Sequence, residues 1–319
     1  MNLLVAGLGG VGGFLGARLA AAYQDGKKHR VYFLARGPHL EAMLQGGITL
    51  VTGGQSLTAR PWDAASDAGQ WPEMDLVLLC VKGYQLQGAM ETIRAVSRNS
   101  TFILPLLNGI GTRLLVENSI AQATVGDGAI YVFAHIQSPG HILHVGGPGR
   151  VVFGRDPQDQ DSLAKVRDLL LEAGIDARLV PRADVEVWRK FVVLAAVAGS
   201  TSLYGQTVGE ILADPSKIKL MEGIMKEVIS LAEASGVPLP QDLLERTMAS
   251  AKSFPPNGKS SLLHDLEAGR PSELDWLLGR ALDLGKKTGV RLEVLSQVYQ
   301  GIRHRWLQEE SPRVQGEGS

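Results

Sequence analysis

The chain has 319 residues, and its 32 Lys and Arg residues nearly balance 33 Asp and Glu residues, which gives a formal net charge of -1. This balance excludes the basic surface that is typical of proteins that bind nucleic acid or an anionic membrane. The single cysteine excludes an intrachain disulfide, and no group of Cys and His residues in the sequence predicts a metal site. Glycine is in clear excess, because the 38 glycines among 319 residues make up about 12% of the chain, whereas the usual share is about 7%.

In the first half of the chain, short apolar runs alternate with helical segments. In chain order, the predicted elements are strand Asn2–Ala6, helix Val11–Tyr23, strand Val31–Ala35, a hairpin-like pair formed by Ile48–Val51 and Ser56–Ala59, strand Asp75–Val81, helix Gln85–Ser97, strand Phe102–Leu107, strands Ala129–Ile136, Ile142–Val145 and Val151–Gly154, helix Ser162–Ala173 and strand Ala177–Val180. Strands that alternate with helices predict βαβ units in a parallel sheet. We therefore predict an α/β fold whose N-terminal domain, residues 1–180, is a Rossmann-type doubly wound parallel sheet.

From Pro181 onward the pattern becomes helical. The predicted helices are Asp184–Val197, Lys217–Ala234, Gln241–Lys252, Glu273–Thr288 and Glu293–Gln308. We predict an all-helical C-terminal domain at residues 181–319, with a disordered tail over Ser311–Ser319. No apolar run reaches the roughly 18 residues of a membrane span, and the N-terminus lacks the basic segment of a signal peptide. We therefore expect a cytoplasmic protein.

A glycine-rich turn joins the first predicted strand to the first predicted helix. It matches the pattern G-x-G-x-x-G and consists of Gly7, Leu8, Gly9, Gly10, Val11 and Gly12. In such a turn, the first glycine permits the tight bend and the second lets the backbone approach a pyrophosphate. The third lets the helix pack closely on the strand, and the helix N-terminus attracts phosphate. The turn predicts a dinucleotide site; a glycine-rich packing turn without a ligand is the alternative.

The end of the second predicted strand favours NADP over NAD. An enzyme that uses NAD usually has Asp or Glu about 20 residues beyond the glycines, where it binds the ribose hydroxyls. The segment Val31–Arg36 contains no acidic residue and ends in Arg36, whose guanidinium can form a fork of hydrogen bonds with a 2′-phosphate. We predict NADP (NADPH) as the cofactor, although Arg36 could also be an ordinary surface arginine.

Five short motifs in this order resemble those of the ketopantoate reductases, the NADPH-dependent 2-dehydropantoate 2-reductases of pantothenate synthesis. They are Gly7–Gly12, Cys80–Lys82, Leu107–Gly111, Trp188–Lys190 and Ser272–Asp275. The resemblance extends from residue 1 to about residue 305. It implies an N-terminal NADP-binding domain and a helical domain that carries substrate and catalytic groups.

By this resemblance, Lys190 is the catalytic lysine, which also contacts substrate, and Glu273 is its partner near the cofactor and the substrate. Reduction of a ketone by hydride leaves an alkoxide, which needs a proton donor or a cation beside it. Lys190 leads into an apolar helical run, where burial of an unpaired charge is costly. The alternatives are a lysine that reaches the helix surface, and a Glu273 that merely occupies the first helical turn after an N-cap at Ser272.

Three further polar residues match binding positions of the family. Asn108 follows the last predicted core strand, at the end where doubly wound sheets bind ligands, and the resemblance implies contacts with cofactor and substrate. Lys82 matches a lysine near the cofactor, and Ser261 matches a serine that contacts substrate. An ordinary Asn-Gly turn and a helix cap at Ser261 are the respective alternatives.

The sequence departs from the family at three positions that contact ketopantoate. Where the family has asparagines, this chain has Leu194, Ala198 and Val208. An apolar wall at these positions would favour a more hydrophobic or differently shaped 2-oxo acid. Ketopantoate stays open as a substrate, because other polar residues could replace the lost contacts; the candidates are Tyr204, Gln206 and Arg189.

We therefore predict an NADPH-dependent reductase of ketopantoate or a closely related 2-oxo acid. One alternative is another two-domain NAD(P)-dependent hydroxyacid or opine dehydrogenase, and a second is a regulator that senses NADP without catalysis. The expected partner is a small-molecule 2-oxo acid, with no metal, nucleic acid or membrane. The chain could also form a homodimer.

Overall fold

In the computed structural model, which describes residues 1–155 and 160–306, the apolar runs of the N-terminal half form eleven strands. They are β1 (Asn2–Ala6), β2 (Arg30–Leu34), β3 (Ile48–Thr52), β4 (Gln55–Ala59), β5 (Asp63–Ala65), β6 (Leu76–Leu79), β7 (Phe102–Pro105), β8 (Thr124–Val125), β9 (Asp127–Ser138), β10 (His141–Gly154) and β11 (Ala177–Leu179). The chain divides into two units, Met1–Val187 and Trp188–Ser319. The predicted tail Ser311–Ser319 lies outside the described residues.

Six strands form a parallel sheet in the order β5-β2-β1-β6-β7-β8. Counted within this sheet, the order is 3-2-1-4-5-6, which is the Rossmann arrangement and confirms the predicted fold class. The central strand β6 has the sequence LVLL and is buried along its whole length. Such continuous apolar strands are expected where helices cover both faces of a parallel sheet.

The remaining strands form a second, mixed sheet that the sequence did not predict as a separate layer. Its order is β11-β10-β3-β4, and β9 pairs antiparallel with β10. The predicted hairpin is confirmed as the antiparallel pair β3 and β4. The prediction of two separate strands within His141–Gly154 is wrong, because β10 continues across Gly146–Gly149 through irregular pairing with β9. Glycines at positive φ, Gly147 and Gly149, permit this irregular course.

Five α-helices accompany the strands of the first unit: α1 (Gly10–Ala22), α2 (Gly37–Gly46), α3 (Leu86–Ala95), α4 (Thr112–Ser119) and α5 (Gln160–Glu172), with a 3-10 turn at Gly83–Gln85. Helix α1 packs against both sheets, and its glycines make this possible. A Cβ at Gly13 would lie 2.5 Å from the Ile142 side chain of β10, and one at Gly16 would lie 3.0 Å from Phe33 of β2. The packing of α1 therefore accounts for part of the glycine excess.

The described part of the second unit is helical. It contains most of α6 (Ala183–Tyr204), which begins in the first unit, followed by α7 (Val208–Leu212), α8 (Pro215–Ala234), α9 (Leu243–Lys252), α10 (Ser261–Glu267), a π-helical turn at Asp275–Gly279, α11 (Arg280–Thr288) and α12 (Glu293–Trp306). The predicted helix Glu273–Thr288 is thus a π-helical turn followed by α11. No helix within the described residues is both long and apolar enough to cross a membrane.

Candidate active site

The glycine turn between β1 and α1 is fixed at its two ends by close backbone packing. Gly7 has φ +90, and a Cβ there would lie 2.8 Å from the backbone nitrogen of Val81. A Cβ at Gly12 would lie 1.8 Å from the carbonyl oxygen of Gly7. A larger residue at either position therefore requires the backbone to move, whether or not a ligand binds.

Gly9 differs from these two glycines, because its missing side chain faces open space. A Cβ at Gly9 would meet no heavy atom within 4 Å. Gly9 is the N-cap residue of α1, no side chain caps this helix end, and the first turn has no acidic residue. Backbone N–H groups at such an end can bind phosphate oxygens. This part of the turn therefore has the shape and polarity of a phosphate cradle.

The inner residues of the turn contact the second sheet. A Cβ at Gly10 would lie 1.9 Å from the carbonyl oxygen of Ala134 in β9, so the packing of α1 on this strand requires glycine there. Leu8 is buried, Val11 is half-buried, and the Leu8 carbonyl accepts a hydrogen bond from His39 Nε2 at 2.8 Å.

His39 is a residue of this region that the sequence analysis missed. Its Nδ1 accepts a hydrogen bond from the N–H of Gly140 at 2.9 Å, so Nε2 carries the proton that is donated to Leu8. Burial lowers the pKa of His39, although the bond to Leu8 opposes this shift. The neutral imidazole thereby links the glycine turn to the β9–β10 loop. A single histidine in a short helix carries no sequence signal for this role.

The predicted cofactor residues of the first unit lie beyond the carboxyl ends of four neighbouring strands. The glycine turn follows β1, Arg36 follows β2, Lys82 follows β6 and Asn108 follows β7. The structure therefore brings them to one edge of the parallel sheet, where ligands of doubly wound folds bind. Arg36 is exposed and makes no hydrogen bond or ion pair with another described residue, whereas Lys82 and Asn108 are half-buried.

Lys82 and Asn108 are both held at the start of the next helical element. Lys82 precedes the 3-10 turn, and its N–H donates to Gln85 Oε1 at 3.3 Å. Asn108 precedes Gly109, at φ +106, and Gly111, at φ +70, which is the N-cap residue of α4. The two positive φ angles explain why glycines flank this turn.

In the second unit, the structure brings Lys190 and Glu273 together. Lys190 lies on α6, and burial lowers the pKa of its ammonium to about 8, while the nearby Glu273 carboxylate opposes the shift. The Glu273 side chain is only 4% exposed. A lysine with this pKa stays largely protonated at neutral pH and releases its proton more readily than an ordinary lysine. The pair can therefore act as a proton donor with a stabilising counter-ion.

Glu273 lies just before the π-helical turn, and its carbonyl accepts the N–H of Leu277 at 2.8 Å. The alternative that Ser272 caps the helix is wrong, since Leu274 is already helical and the bond accepted by the Glu273 carbonyl makes Glu273, not Ser272, the N-cap residue. π-Helical turns occur often at functional sites. The sequence did not predict this one, because its apolar spacing is compatible with an ordinary helix.

Ser261 is the exposed first residue of α10. The alternative that Ser261 caps this helix is also wrong, because the cap is Ser260, whose Oγ accepts the N–H of Leu263 at 3.1 Å. Ser260 is also bonded to Thr201 of α6, with 2.8 Å between the two hydroxyl oxygens. This bond ties the start of α10 to the helix that carries Lys190.

One face of α6 carries Lys190, Leu194, Ala198 and Thr201, which follow the spacing of successive helical turns. We call it the lysine face. Leu194 is half-buried, whereas Ala198 and Thr201 are buried. Val208, the third position where a family asparagine is replaced, is the buried first residue of α7. Within the described residues, no group of three or more His, Cys, Asp and Glu side chains could hold a metal ion.

Known families and proteins match nearly the whole chain. Residues 3–158 match the family model Ketopantoate reductase PanE/ApbA, and residues 183–305 match Ketopantoate reductase PanE/ApbA C terminal. The Uncharacterized oxidoreductase YkpB of Bacillus subtilis (strain 168) is 26% identical over 305 residues, which cover 95% of this chain and 98% of that protein. The 2-dehydropantoate 2-reductase of Mesorhizobium japonicum is 27% identical over 306 residues, with coverages of 90% and 92%. A crystal structure of 2-dehydropantoate 2-reductase from Methylococcus capsulatus is 29% identical, with a TM-score of 0.83 and coverages of 96% and 97%.

Proposed function

We propose that this chain, which belongs to the ketopantoate reductase family, uses NADPH to reduce ketopantoate or a close relative among the 2-oxo acids to the 2-hydroxy acid. The family consists of nucleotide-dependent oxidoreductases that act on CH–OH groups. The observation that carries the proposal is the Lys190 and Glu273 pair, a buried carboxylate beside a lysine of lowered pKa. A lysine of lowered pKa beside a buried carboxylate is more typical of a functional site than of a structural helix surface.

The glycine turn fits a dinucleotide cofactor. Gly9 offers an uncapped helix end and open space where a Cβ would otherwise project, and backbone N–H groups there would hold the pyrophosphate. Lys82 and Asn108 lie at the same sheet edge and would contact the cofactor. When bound, NADPH supplies the hydride that reduces the carbonyl carbon.

Arg36 supports the choice of NADP over NAD. Its side chain is exposed at the carboxyl end of β2 and makes no ion pair with another described residue. A guanidinium in this position is available to a 2′-phosphate. No acidic residue occupies the end of β2, in the segment Val31–Arg36, where a carboxylate would repel the phosphate.

The proposed chemistry depends on the protonation of Lys190. We propose that the ammonium donates a proton to the carbonyl oxygen as negative charge develops there. Glu273 keeps the ammonium charged and orients it, and by the family resemblance we also propose that it contacts the cofactor. Asn108 and Ser261 position the substrate.

The test is a measurement of NADPH absorbance with the purified chain and a panel of 2-oxo acids, including ketopantoate and branched and aromatic compounds. We expect oxidation of NADPH with at least one of them, and its loss in Lys190→Ala. An opine dehydrogenase would require an added amine, and a regulator would bind NADPH without turnover. Absence of turnover with every 2-oxo acid, despite binding of NADPH, would contradict the proposal.

The cytoplasmic location and the homodimer stay predictions from the sequence. Light scattering of the purified chain measures the oligomeric state directly. Fractionation of cells that produce the chain tests the location.

A further inference from the structure

We infer that the second unit selects 2-oxo acids with a branched, purely apolar side chain over those that carry a hydroxyl, and that Leu194 is a specificity-determining residue. This inference rests on the proposed function, because it concerns the substrate of the same site.

Leu194 is an accessible apolar residue next to Lys190 on this face. The two residues are four positions apart in α6 and therefore lie one above the other. The residues that follow, 195–202, are all buried, whereas Lys190 and Leu194 are each half-buried. A substrate held at the Lys190 ammonium is therefore expected to place its side chain against Leu194.

The hydroxyl groups of Ser200 and Thr201 on α6 are already used in hydrogen bonds within the protein. Ser200 Oγ donates to the carbonyl of Ala196 at 2.7 Å, and Thr201 Oγ1 donates to the carbonyl of Val197 at 2.7 Å. Thr201 also pairs with Ser260. Ser202 Oγ is buried without a hydrogen-bond partner, but Ser202 lies about 120° round the helix from Lys190.

Three polar residues could replace the contacts of the family asparagines, and each either contacts another residue or lies away from Leu194. They are Gln206, Tyr204 and Arg189. Gln206 Oε1 accepts a hydrogen bond from Lys217 Nζ at 2.9 Å. The same ammonium lies 5.1 Å from the centre of the Tyr204 ring, and Tyr204 follows Leu194 by ten residues, or about 15 Å along α6. Arg189 lies about 100° round α6 from Lys190. A substrate hydroxyl beside Leu194 would therefore lose its hydrogen bonds to water without gaining a partner on the lysine face.

The expected preference follows from general rules of specificity. An apolar pocket disfavours an added hydroxyl only moderately, by a factor of up to about 10². A pocket built to bind the hydroxyl would instead reject the apolar analogue by roughly 10⁴ or more. The sign and the size of the preference together distinguish the two kinds of pocket.

The experiment compares ketopantoate with trimethylpyruvate, which lacks only the hydroxyl. We expect the unmodified chain with NADPH to show a kcat/KM for trimethylpyruvate that is about 10- to 100-fold higher. Leu194→Asn should reduce this ratio at least about 10-fold, because its amide offers the hydroxyl a partner. Leu194→Met is the matched control, since it conserves volume and apolar character, and it should leave the ratio unchanged.

The outcomes separate this inference from the proposed function. A preference of the unmodified chain for ketopantoate overturns the inference while leaving the reductase activity intact, and so does an unchanged ratio in a folded Leu194→Asn variant. Absence of NADPH oxidation with both compounds and the rest of the panel refutes the proposed function itself. If Leu194→Asn does not fold, Leu194→Gln takes its place, with the same fall in the ratio expected and with an unchanged ratio overturning the inference.

Discussion

In the first unit, most glycines of the Gly7–Gly12 turn are fixed by backbone packing, whereas in the second unit Lys190 and Leu194 of the lysine face are only half-buried. A Cβ at Gly12 meets a carbonyl oxygen at 1.8 Å, but the Leu194 side chain is partly exposed. Relatives of the same fold can therefore keep the nucleotide turn and still change their substrate. We therefore expect the first unit to determine the cofactor class, and the second unit to determine the reaction and its specificity.

The largest expected effect is on the rate, in the second unit. Lys190→Ala removes the proposed proton donor and should lower kcat by about 10²- to 10⁴-fold. The KM for NADPH should change little, because the proposed phosphate contacts belong to the first unit. Steady-state kinetics with the best 2-oxo acid measures both constants. Lys219→Ala is the matched control, an exposed lysine of the same unit. A kcat within a few-fold of the unmodified chain would remove Lys190 from the mechanism.

Two substitutions in the glycine turn separate folding from binding. Gly12→Ala forces its Cβ against the Gly7 carbonyl and should destabilise the protein by about 3 kcal/mol, the upper end of the usual cost of overpacking. Gly9→Ala meets no atom of the protein and should cost at most about 1 kcal/mol at this N-cap position. It should nevertheless weaken NADPH binding, because the methyl group occupies the proposed phosphate cradle. Thermal unfolding and NADPH titration test the two variants. Unchanged NADPH affinity in Gly9→Ala would place the pyrophosphate elsewhere.

Arg36→Ala tests the choice of cofactor. Loss of a charged hydrogen bond to the 2′-phosphate should raise the KM for NADPH about 10- to 100-fold, with little effect on the KM for NADH. The ratio of the two constants is the measurement, since a general defect would affect both cofactors. Arg60→Ala is a control from the same unit, an exposed arginine bonded to the carbonyls of Leu44 and Gln45. Equal changes for NADPH and NADH would exclude a contact between Arg36 and the 2′-phosphate.

Glu273→Gln tests the coupling between the two charged residues of the second unit. The carboxylate raises the pKa of Lys190 against the effect of burial, and the result is about 8. Activity that needs the protonated lysine is lost as the pH rises through this value. Without the carboxylate the pKa falls, so the basic limb of the kcat profile should move to lower pH. A merely structural role of Glu273 would lower the activity without moving this limb.

The sequence predicted the elements whose patterns depend on local constraints. A continuous apolar run such as β6 predicts a strand that is covered on both faces, and this prediction was confirmed. The glycine turn around Gly7 lies between β1 and α1 as predicted, and the dinucleotide site there stays a prediction. The course of β10 could not be predicted, because Gly146–Gly149 also suits a turn and only pairing with β9 decides. The π-helical turn after Glu273 and the hydrogen bonds of His39 depend on tertiary contacts that spacing does not encode.

The smallest expected effect concerns stability, and it lies in the first unit. Asp127 follows β8 and accepts a hydrogen bond from Arg113 Nη1 at 3.2 Å. Burial raises the pKa of Asp127 to about 6, with contributions from Asp184 and Glu117, while Arg113 opposes the shift. The folded state therefore binds this proton more tightly than the unfolded state, in which the pKa of an aspartate is about 3.9. The resulting stabilisation is present at low pH and is lost as the pH rises through about 6.

Asp127→Asn removes the titrating carboxyl group. A comparison of the two proteins therefore shows whether this group lowers or raises the free energy of unfolding as the pH rises. The free energy of unfolding of the unmodified chain, relative to that of the variant, should fall by up to about 2 kcal/mol between pH 4 and pH 7. Denaturant unfolding of both proteins across this range measures the difference. A difference that rises with pH would mean that the ion pair with Arg113 outweighs the cost of burying the carboxylate. In that case the first unit, like the second, would hold a buried carboxylate whose main role is to stabilise a neighbouring cation.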